Sequence, residues 1–183
     1  RSLVGSEMCI RDSLAGNVLL RRTRGDFPPD FPYSALPPSA IHGLAAQPAQ
    51  ILTIENLTTF HVWARQHGDS NTLCLYTAGM PSPAWRALYG RLLAGLPPDV
   101  PVYHWGDIDE GGFRIAALIS RCAAASGHTL RPWKMRPAEI PATQHRPASA
   151  HTLAQMVKYA RDAGWEDMVR ELEDAGIVAE QEG

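Results

Sequence analysis

The feature that most constrains the fold is an alternation of short apolar runs with segments of helical spacing. Four runs have the length and the β-branched or aromatic content of strands: residues 51–55, 72–76, 100–105 and 129–133. Helical segments follow the first three runs, at residues 56–65, 82–95 and 113–125. This alternation predicts an α/β fold, with a mostly parallel sheet flanked by helices. Sheets of this kind bind their ligands at the carboxyl ends of the strands.

The segments on either side of this alternation have a different character. Residues 1–13 lack periodicity and resemble a translated sequencing adaptor, so we expect them to be non-native and the chain to be part of a longer protein. Residues 14–50 hold six of the 15 prolines, and proline disfavours helix interiors and central strands, so we expect a proline-rich lead-in or linker. We expect one domain over residues 51–183, with two C-terminal helices at 150–162 and 165–174.

Composition excludes several classes of protein. The chain is 45% hydrophobic and 20% charged, which is typical of a globular domain and not of a disordered one. Its three cysteines are far apart, so we expect neither a disulfide framework nor a zinc site, and a reducing compartment, the cytoplasm, fits best. The longest apolar run, near residues 115–119, is much shorter than the ~20 residues of a membrane span, so no membrane association is expected.

The net charge of −2 hides a segregation of charge along the chain. Residues 112–150 hold six basic residues and one acidic residue, whereas residues 151–183 hold three basic and eight acidic residues. The basic stretch follows directly after an acidic turn. We therefore interpret it either as a solvated face or as a surface for a phosphate backbone.

Three acidic residues fall at predicted strand ends. Glu55 closes the first strand, while Asp107 and Asp109 follow the third. Carboxylates that converge at one sheet edge repel each other unless a cation neutralises them. Mg²⁺ or Mn²⁺ is the expected ion, because such hard ions take carboxylate and water oxygens. The glycines around the two aspartates allow close approach of backbone, metal and phosphate.

Simpler interpretations of the same residues stay open at this point. Glu55 and Asn56 could cap the following helix, and the GDIDEGG turn could use its aspartates to bind backbone amides. Two other ion or phosphate sites fail on spacing. A calcium loop that begins at Asp107 would need a glutamate where Leu118 stands, and no GKS or GKT follows a glycine-rich loop.

Four further residues are candidates for contact with DNA or phosphate. His104 precedes the acidic turn and either orients a phosphate or is a structural histidine on a strand. Arg114 follows the turn and either contacts a phosphate or is a solvated arginine. Asn56 either binds Glu55 or DNA or caps a helix, and Ser82 is both a predicted helix cap and a candidate for the sheet edge.

The segments TIENLTTF, LYTAGMPSPAW and YHWGDIDEGGFRI, in this order, resemble the Toprim domain. They are more closely similar to the C-terminal domain family of JetD, the nuclease subunit of Wadjet anti-plasmid systems, which is related to the topoisomerase VI A subunit. The resemblance covers about residues 51–135, and the AEQE ending is also similar. It implies a Toprim-like, Rossmann-like sheet on which Glu55, Asp107 and Asp109 are the catalytic and metal-binding residues.

The resemblance also implies a function and partners. It suggests a divalent-metal-dependent endonuclease that hydrolyses phosphodiesters of closed circular plasmid DNA presented by an SMC-type JetABC complex, with a homodimer in the full-length protein. Two alternatives remain: topoisomerase VI A-like strand cleavage, and a non-catalytic module in which a metal stabilises a dimerisation or DNA-binding domain. The tyrosine nucleophile of the related topoisomerases belongs to an N-terminal region that has no counterpart here, so we expect hydrolysis.

Overall fold

The structure is a computed structural model that describes residues 12–180. Most of the expected adaptor segment therefore lies outside the described residues. Asp12 and Ser13 are exceptions, because they open the first strand.

Residues 12–180 form 11 strands and five α-helices, together with three short 3-10 helices. The strands are β1 (Asp12–Ala15), β2 (Leu20–Arg22), β3 (Gly25–Phe27), β4 (Ser34–Leu36), β5 (Ile41–Leu44), β6 (Gln50–Ile54), β7 (Thr72–Tyr76), β8 (Val102–Trp105), β9 (Leu130–Pro132), β10 (Arg146–Pro147) and β11 (Ile177–Val178). The helices are α1 (Leu57–His67), α2 (Pro83–Ala94), α3 (Glu110–Ala124), α4 (Ala150–Asp162) and α5 (Glu166–Ala175).

The main sheet has six strands in the order β4-β1-β7-β6-β8-β9. The last four strands of this order are parallel, and β1 pairs antiparallel with both β7 and β4. The predicted α/β fold with a mostly parallel sheet flanked by helices is therefore confirmed. From β6 the chain passes to β7 on one side, and then crosses back to β8 and β9 on the other. The direction of winding thus reverses between β6 and β8, which is where open α/β sheets form their ligand crevice.

The helices cover both faces of this sheet. Right-handed crossovers place α1 on the face opposite α2 and α3, because β7 and β8 lie on opposite sides of β6. The packing agrees: α1 contacts β6 and β7, whereas α2, α3, α4 and α5 pack against one another in succession. Apolar side chains of β6, β7 and β8 are buried between the two layers, together with the polar side chains of Thr53 and His104.

The proline-rich segment corrects one expectation. Residues 14–50 do not form a linker, because β1 and β4 join the main sheet and β3-β2-β5 form a second sheet of three strands. All six prolines lie between strands. Proline has no backbone N–H and therefore cannot donate a hydrogen bond within a sheet. Here the prolines lie only in the connections, so the short strands around them can still pair.

Candidate functional site at the carboxyl edge of the sheet

The acidic edge, as we call it, is formed by Glu55, Asp107 and Asp109 at the reversal point of the sheet. Parallel pairing sets Ile54 beside Trp105, and the Glu55 amide donates to the Trp105 carbonyl at 3.0 Å. Glu55 therefore leaves β6 next to the end of β8. From there its Oε2 atom accepts a hydrogen bond from the Asp107 amide at 3.3 Å.

The carboxyl group of Glu55 is affected by its burial and by the neighbouring aspartates. Its pKa is raised to about 7, first by burial and then by the charge of Asp107. The hydrogen bond from the Asp107 amide lowers this pKa, and the charge of Asp109 adds a smaller increase. Tyr76, at the end of β7, is affected too: burial and then the Glu55 charge raise the pKa of its hydroxyl. The edge thus has a surplus of negative charge that favours a bound cation.

Asp109 does more than contribute charge. Its Oδ1 atom accepts a hydrogen bond from the Gly112 amide at 2.7 Å, which makes Asp109 the N-cap of α3. Helix α3 therefore begins at Glu110, three residues before the predicted start. The cap holds the Asp109 carboxylate at the first turn of the helix.

Asn56 and Ser82 have the helix-capping roles that were among their alternatives. Asn56 Oδ1 accepts from the Thr59 amide at 3.1 Å at the start of α1, and Ser82 Oγ accepts from the Trp85 amide at 3.1 Å at the start of α2. Arg114 is exposed on the first turns of α3. The three residues lie on segments that leave the carboxyl ends of β6, β7 and β8, so the fold places them around the acidic edge.

His104 is fully buried inside the sheet. Its Nδ1 lies 2.9 Å from the Thr53 hydroxyl, and that hydroxyl also lies 3.1 Å from the Tyr103 carbonyl. A carbonyl only accepts, so Thr53 donates to Tyr103 and accepts from His104 Nδ1–H. The Nε2 atom then carries a lone pair, which is buried and has no hydrogen-bond partner among residues 12–180. Burial lowers the pKa of His104 to about 3, so the ring is neutral.

Gly106 separates His104 from Glu55. A Cβ atom at this position would lie 2.8 Å from Glu55 Oε2 and 2.8 Å from His104 Nε2. Both contacts are shorter than real Cβ contacts, so only glycine fits between the carboxylate and the imidazole without displacing one of them. The glycines that flank the aspartates are visible in the sequence, but the role of Thr53 and the close approach of Glu55 and His104 at Gly106 are not. Thr53 lies opposite His104 in the pairing of β6 with β8, so only the register of these strands reveals its contact with the imidazole.

The donor set is consistent with a hard divalent cation. Glu55 and Asp107 meet at the sheet edge. Asp109 uses its Oδ1 atom to cap α3, and its Oδ2 atom takes no part in that hydrogen bond. Carboxylate oxygens are the ligands that Mg²⁺ and Mn²⁺ prefer. Within residues 12–180, however, no three His, Cys, Asp or Glu side chains are close enough to enclose an ion in their present positions. A cation held by all three carboxylates would therefore require these side chains to move closer together.

These features define an α/β domain with acidic residues at the reversal point of a parallel sheet. The family model described as Wadjet protein JetD, C-terminal, matches residues 13–176, and the chain belongs to this family. The Wadjet protein JetD of Bacillus cereus (strain Q1) is 35% identical over 115 residues, which make up 62% of this chain. The same match covers 24% of that relative, so the chain corresponds to a minor part of its length. The predicted resemblance to the JetD family is confirmed.

One general property of the chain follows from the helices. In the part of the chain that the structure describes, none of them has the length and apolar character needed to cross a bilayer.

Proposed function

We propose that this chain is the catalytic domain of a JetD-type plasmid-defence protein of the prokaryotic cytoplasm, a divalent-metal-dependent endonuclease. In this proposal it hydrolyses phosphodiesters of closed circular DNA presented by an SMC-type JetABC complex. The observation that carries the proposal is the meeting of Glu55 and Asp107 at the reversal point of the sheet, with Asp109 close enough to raise the pKa of Glu55. Family membership supports the plasmid-defence context.

Each acidic residue has a distinct role in this mechanism. Glu55 and Asp107 hold the cation, and the Asp107 amide orients the Glu55 carboxylate through its hydrogen bond. Asp109 adds negative charge and, as the cap of α3, fixes the helix that follows the site. Mg²⁺ or Mn²⁺ bound here would supply an activated water and offset charge on the phosphate. His104 is fully buried and its pKa is lowered to about 3, so it is too inaccessible and too weak a base to take a proton from water.

Exposed basic residues near the edge support contact with DNA. Arg114 is on the first turns of α3, and Lys134 follows the end of β9, with its ammonium group 4.8 Å from the centre of the Trp105 ring. Two other arginines of the basic stretch are engaged elsewhere: Arg136 pairs with Glu171, and Arg146 pairs with Glu180. The acidic C-terminal region thus neutralises part of the basic stretch. We propose Arg114 and Lys134 as the phosphate contacts, because Arg114 is on the helix that follows the acidic turn and Lys134 lies beside Trp105.

The full-length protein is the appropriate form for the functional test. Plasmid linearisation is measured with the protein that contains this domain, its SMC-type complex, ATP and Mg²⁺ or Mn²⁺. Asp107→Asn preserves the size of the side chain and removes its charge, and we expect cleavage to fall by at least about 100-fold because a metal ligand is lost.

Asp99→Asn is the matched control, since Asp99 is exposed in the connection before β8, at the amino end of the strand whose carboxyl end forms the acidic edge. We expect this variant to cleave like the wild type. Equal cleavage by the Asp107→Asn variant would refute the assignment of the site. A covalent protein–DNA adduct in the wild-type reaction would instead show topoisomerase-like strand cleavage.

A further inference from the structure

The last described residues of the chain contact the acidic edge from outside the βαβ units that build it. Gly176 ends α5 with a left-handed backbone (φ 58°) and directs the chain into β11, which pairs with β10. The chain then reaches Ile108, the residue between the two aspartates. We call residues 177–180 the C-terminal strap.

The strap holds Ile108 by two backbone hydrogen bonds. The Ile108 amide donates to the Ala179 carbonyl at 2.8 Å, and the Ala179 amide donates to the Ile108 carbonyl at 3.0 Å. Ile108 is 1% exposed and Ala179 is 5% exposed, so water does not compete for these groups. Loss of the strap would leave a buried donor and a buried acceptor of Ile108 without these partners.

The acidic turn is therefore fixed at three successive residues by three different elements. The Asp107 amide binds the Glu55 carboxylate, Ile108 binds Ala179, and Asp109 caps α3 through the Gly112 amide. The first contact comes from Glu55, which follows β6, the strand that pairs with β8. The third contact comes from the first turn of α3, which directly follows the acidic turn. The middle contact comes from the end of the described chain.

We propose that the C-terminal strap is a positioning element of the cation site, in which Ala179 holds Ile108 and thereby sets the spacing of Asp107 and Asp109. This inference rests on the proposed function of the acidic edge. Glu180, the residue after Ala179 in the strap, pairs with Arg146 at 3.5 Å. The strap thus adds an ion pair as well as the two hydrogen bonds.

Two substitutions at Ala179 separate hydrogen bonding from packing. Ala179→Pro keeps an apolar side chain and removes the amide that donates to Ile108. Ala179→Gly keeps the amide and removes the buried methyl group. If the strap positions the aspartates, the proline variant should lose Mn²⁺ affinity by at least tenfold, as measured by electron paramagnetic resonance. The glycine variant should stay within threefold of the wild type.

Amide hydrogen exchange supplies a readout that does not depend on a metal. The amides of Asp107 and Gly112 donate to Glu55 and Asp109, so they report whether the aspartates keep their places. We expect both amides to exchange at least tenfold faster in Ala179→Pro than in Ala179→Gly. Unchanged exchange at these amides would overturn the positioning role, and so would equal losses of Mn²⁺ affinity in both variants.

The two proposals fail in distinguishable ways. A wild-type chain that binds no Mn²⁺ at all contradicts the proposed function. In that case, faster exchange at Asp107 and Gly112 in Ala179→Pro would still support the positioning role of the strap, and unchanged exchange would overturn it.

Discussion

The carboxyl group of Glu55 should make the stability of the domain depend on pH, and Glu55→Gln tests this directly. The pKa of Glu55 rises from 4.5 to about 7 on folding, so the folded state holds the proton more tightly than the unfolded chain. The favourable contribution of this group is therefore fully present below pH 4.5. It is lost as the pH rises through about 7.

The size of the effect follows from the same values. Each pKa unit corresponds to about 1.4 kcal/mol, which sets an upper limit of roughly 3.5 kcal/mol for ionising Glu55 in the folded protein. The side chain keeps part of its contact with solvent, so screening lowers the expected penalty to about 1–2 kcal/mol. Glutamine can still accept the hydrogen bond from the Asp107 amide, but it has no charge to ionise.

The assay is urea unfolding followed by tryptophan fluorescence, in the presence of a chelator. Glu55→Gln should be more stable than the wild type by about 1–2 kcal/mol near pH 8, and should differ little near pH 4.5. Glu166→Gln is the control, because Glu166 is exposed at the start of α5. If Glu55→Gln is no more stable than the wild type near pH 8, the carboxylates do not converge as described.

Three further predictions concern the residues around the acidic edge. Gly106→Ala should destabilise the fold by roughly 1–3 kcal/mol in urea unfolding, because its Cβ would displace Glu55 or His104. The matched control is Gly90→Ala in α2, where a Cβ would meet open space, so this variant should stabilise the fold by up to about 1 kcal/mol. Similar changes in stability for Gly106→Ala and Gly90→Ala would refute the close contact of Gly106 with Glu55 and His104. Gly112→Ala should impair Mn²⁺ binding, since its Cβ would lie 2.1 Å from the Asp107 carbonyl oxygen. Gly111→Ala meets only Asp109 Oδ1 at 3.3 Å and should bind Mn²⁺ nearly normally, so equal defects would argue against this geometry. ¹⁵N NMR should find His104 as the neutral Nδ1–H tautomer, with no titration between about pH 5 and pH 8, because burial lowers its pKa to about 3. An Nε2–H tautomer would contradict the hydrogen bond from Nδ1 to the Thr53 hydroxyl.

Local sequence signals predicted the five α-helices and the four parallel strands. Ser82 and Pro83 mark the start of α2, and the structure has Ser82 as N-cap with Pro83 as the first helical residue. The β-branched and apolar run at Thr72–Tyr76 is a strand over the same five residues. These elements depend on caps and periodicity that lie within a few residues of each other, so the sequence alone is sufficient to locate them.

Long-range pairing accounts for what the sequence did not reveal. The short strands β1 and β4 lack a clear alternation, and the prolines around them indicated a linker. The pairing of Ile108 with Ala179 joins single residues from distant parts of the chain, so it has no local pattern. The same holds for Thr53 and His104, which meet only because β6 and β8 are neighbours with a definite register. The acidic edge was predictable in outline because strand ends of a parallel sheet share one edge.

The most direct test of the central claim is to locate the bound cation. A ¹H–¹⁵N spectrum of the chain is recorded while Mn²⁺ is added in small amounts, since the ion broadens the signals of nearby amides. The account predicts that the amides of Gly106, Asp107 and Ile108 broaden first. If the acidic helix α5 broadens first and the amides around Asp107 stay sharp, the acidic edge is not the cation site.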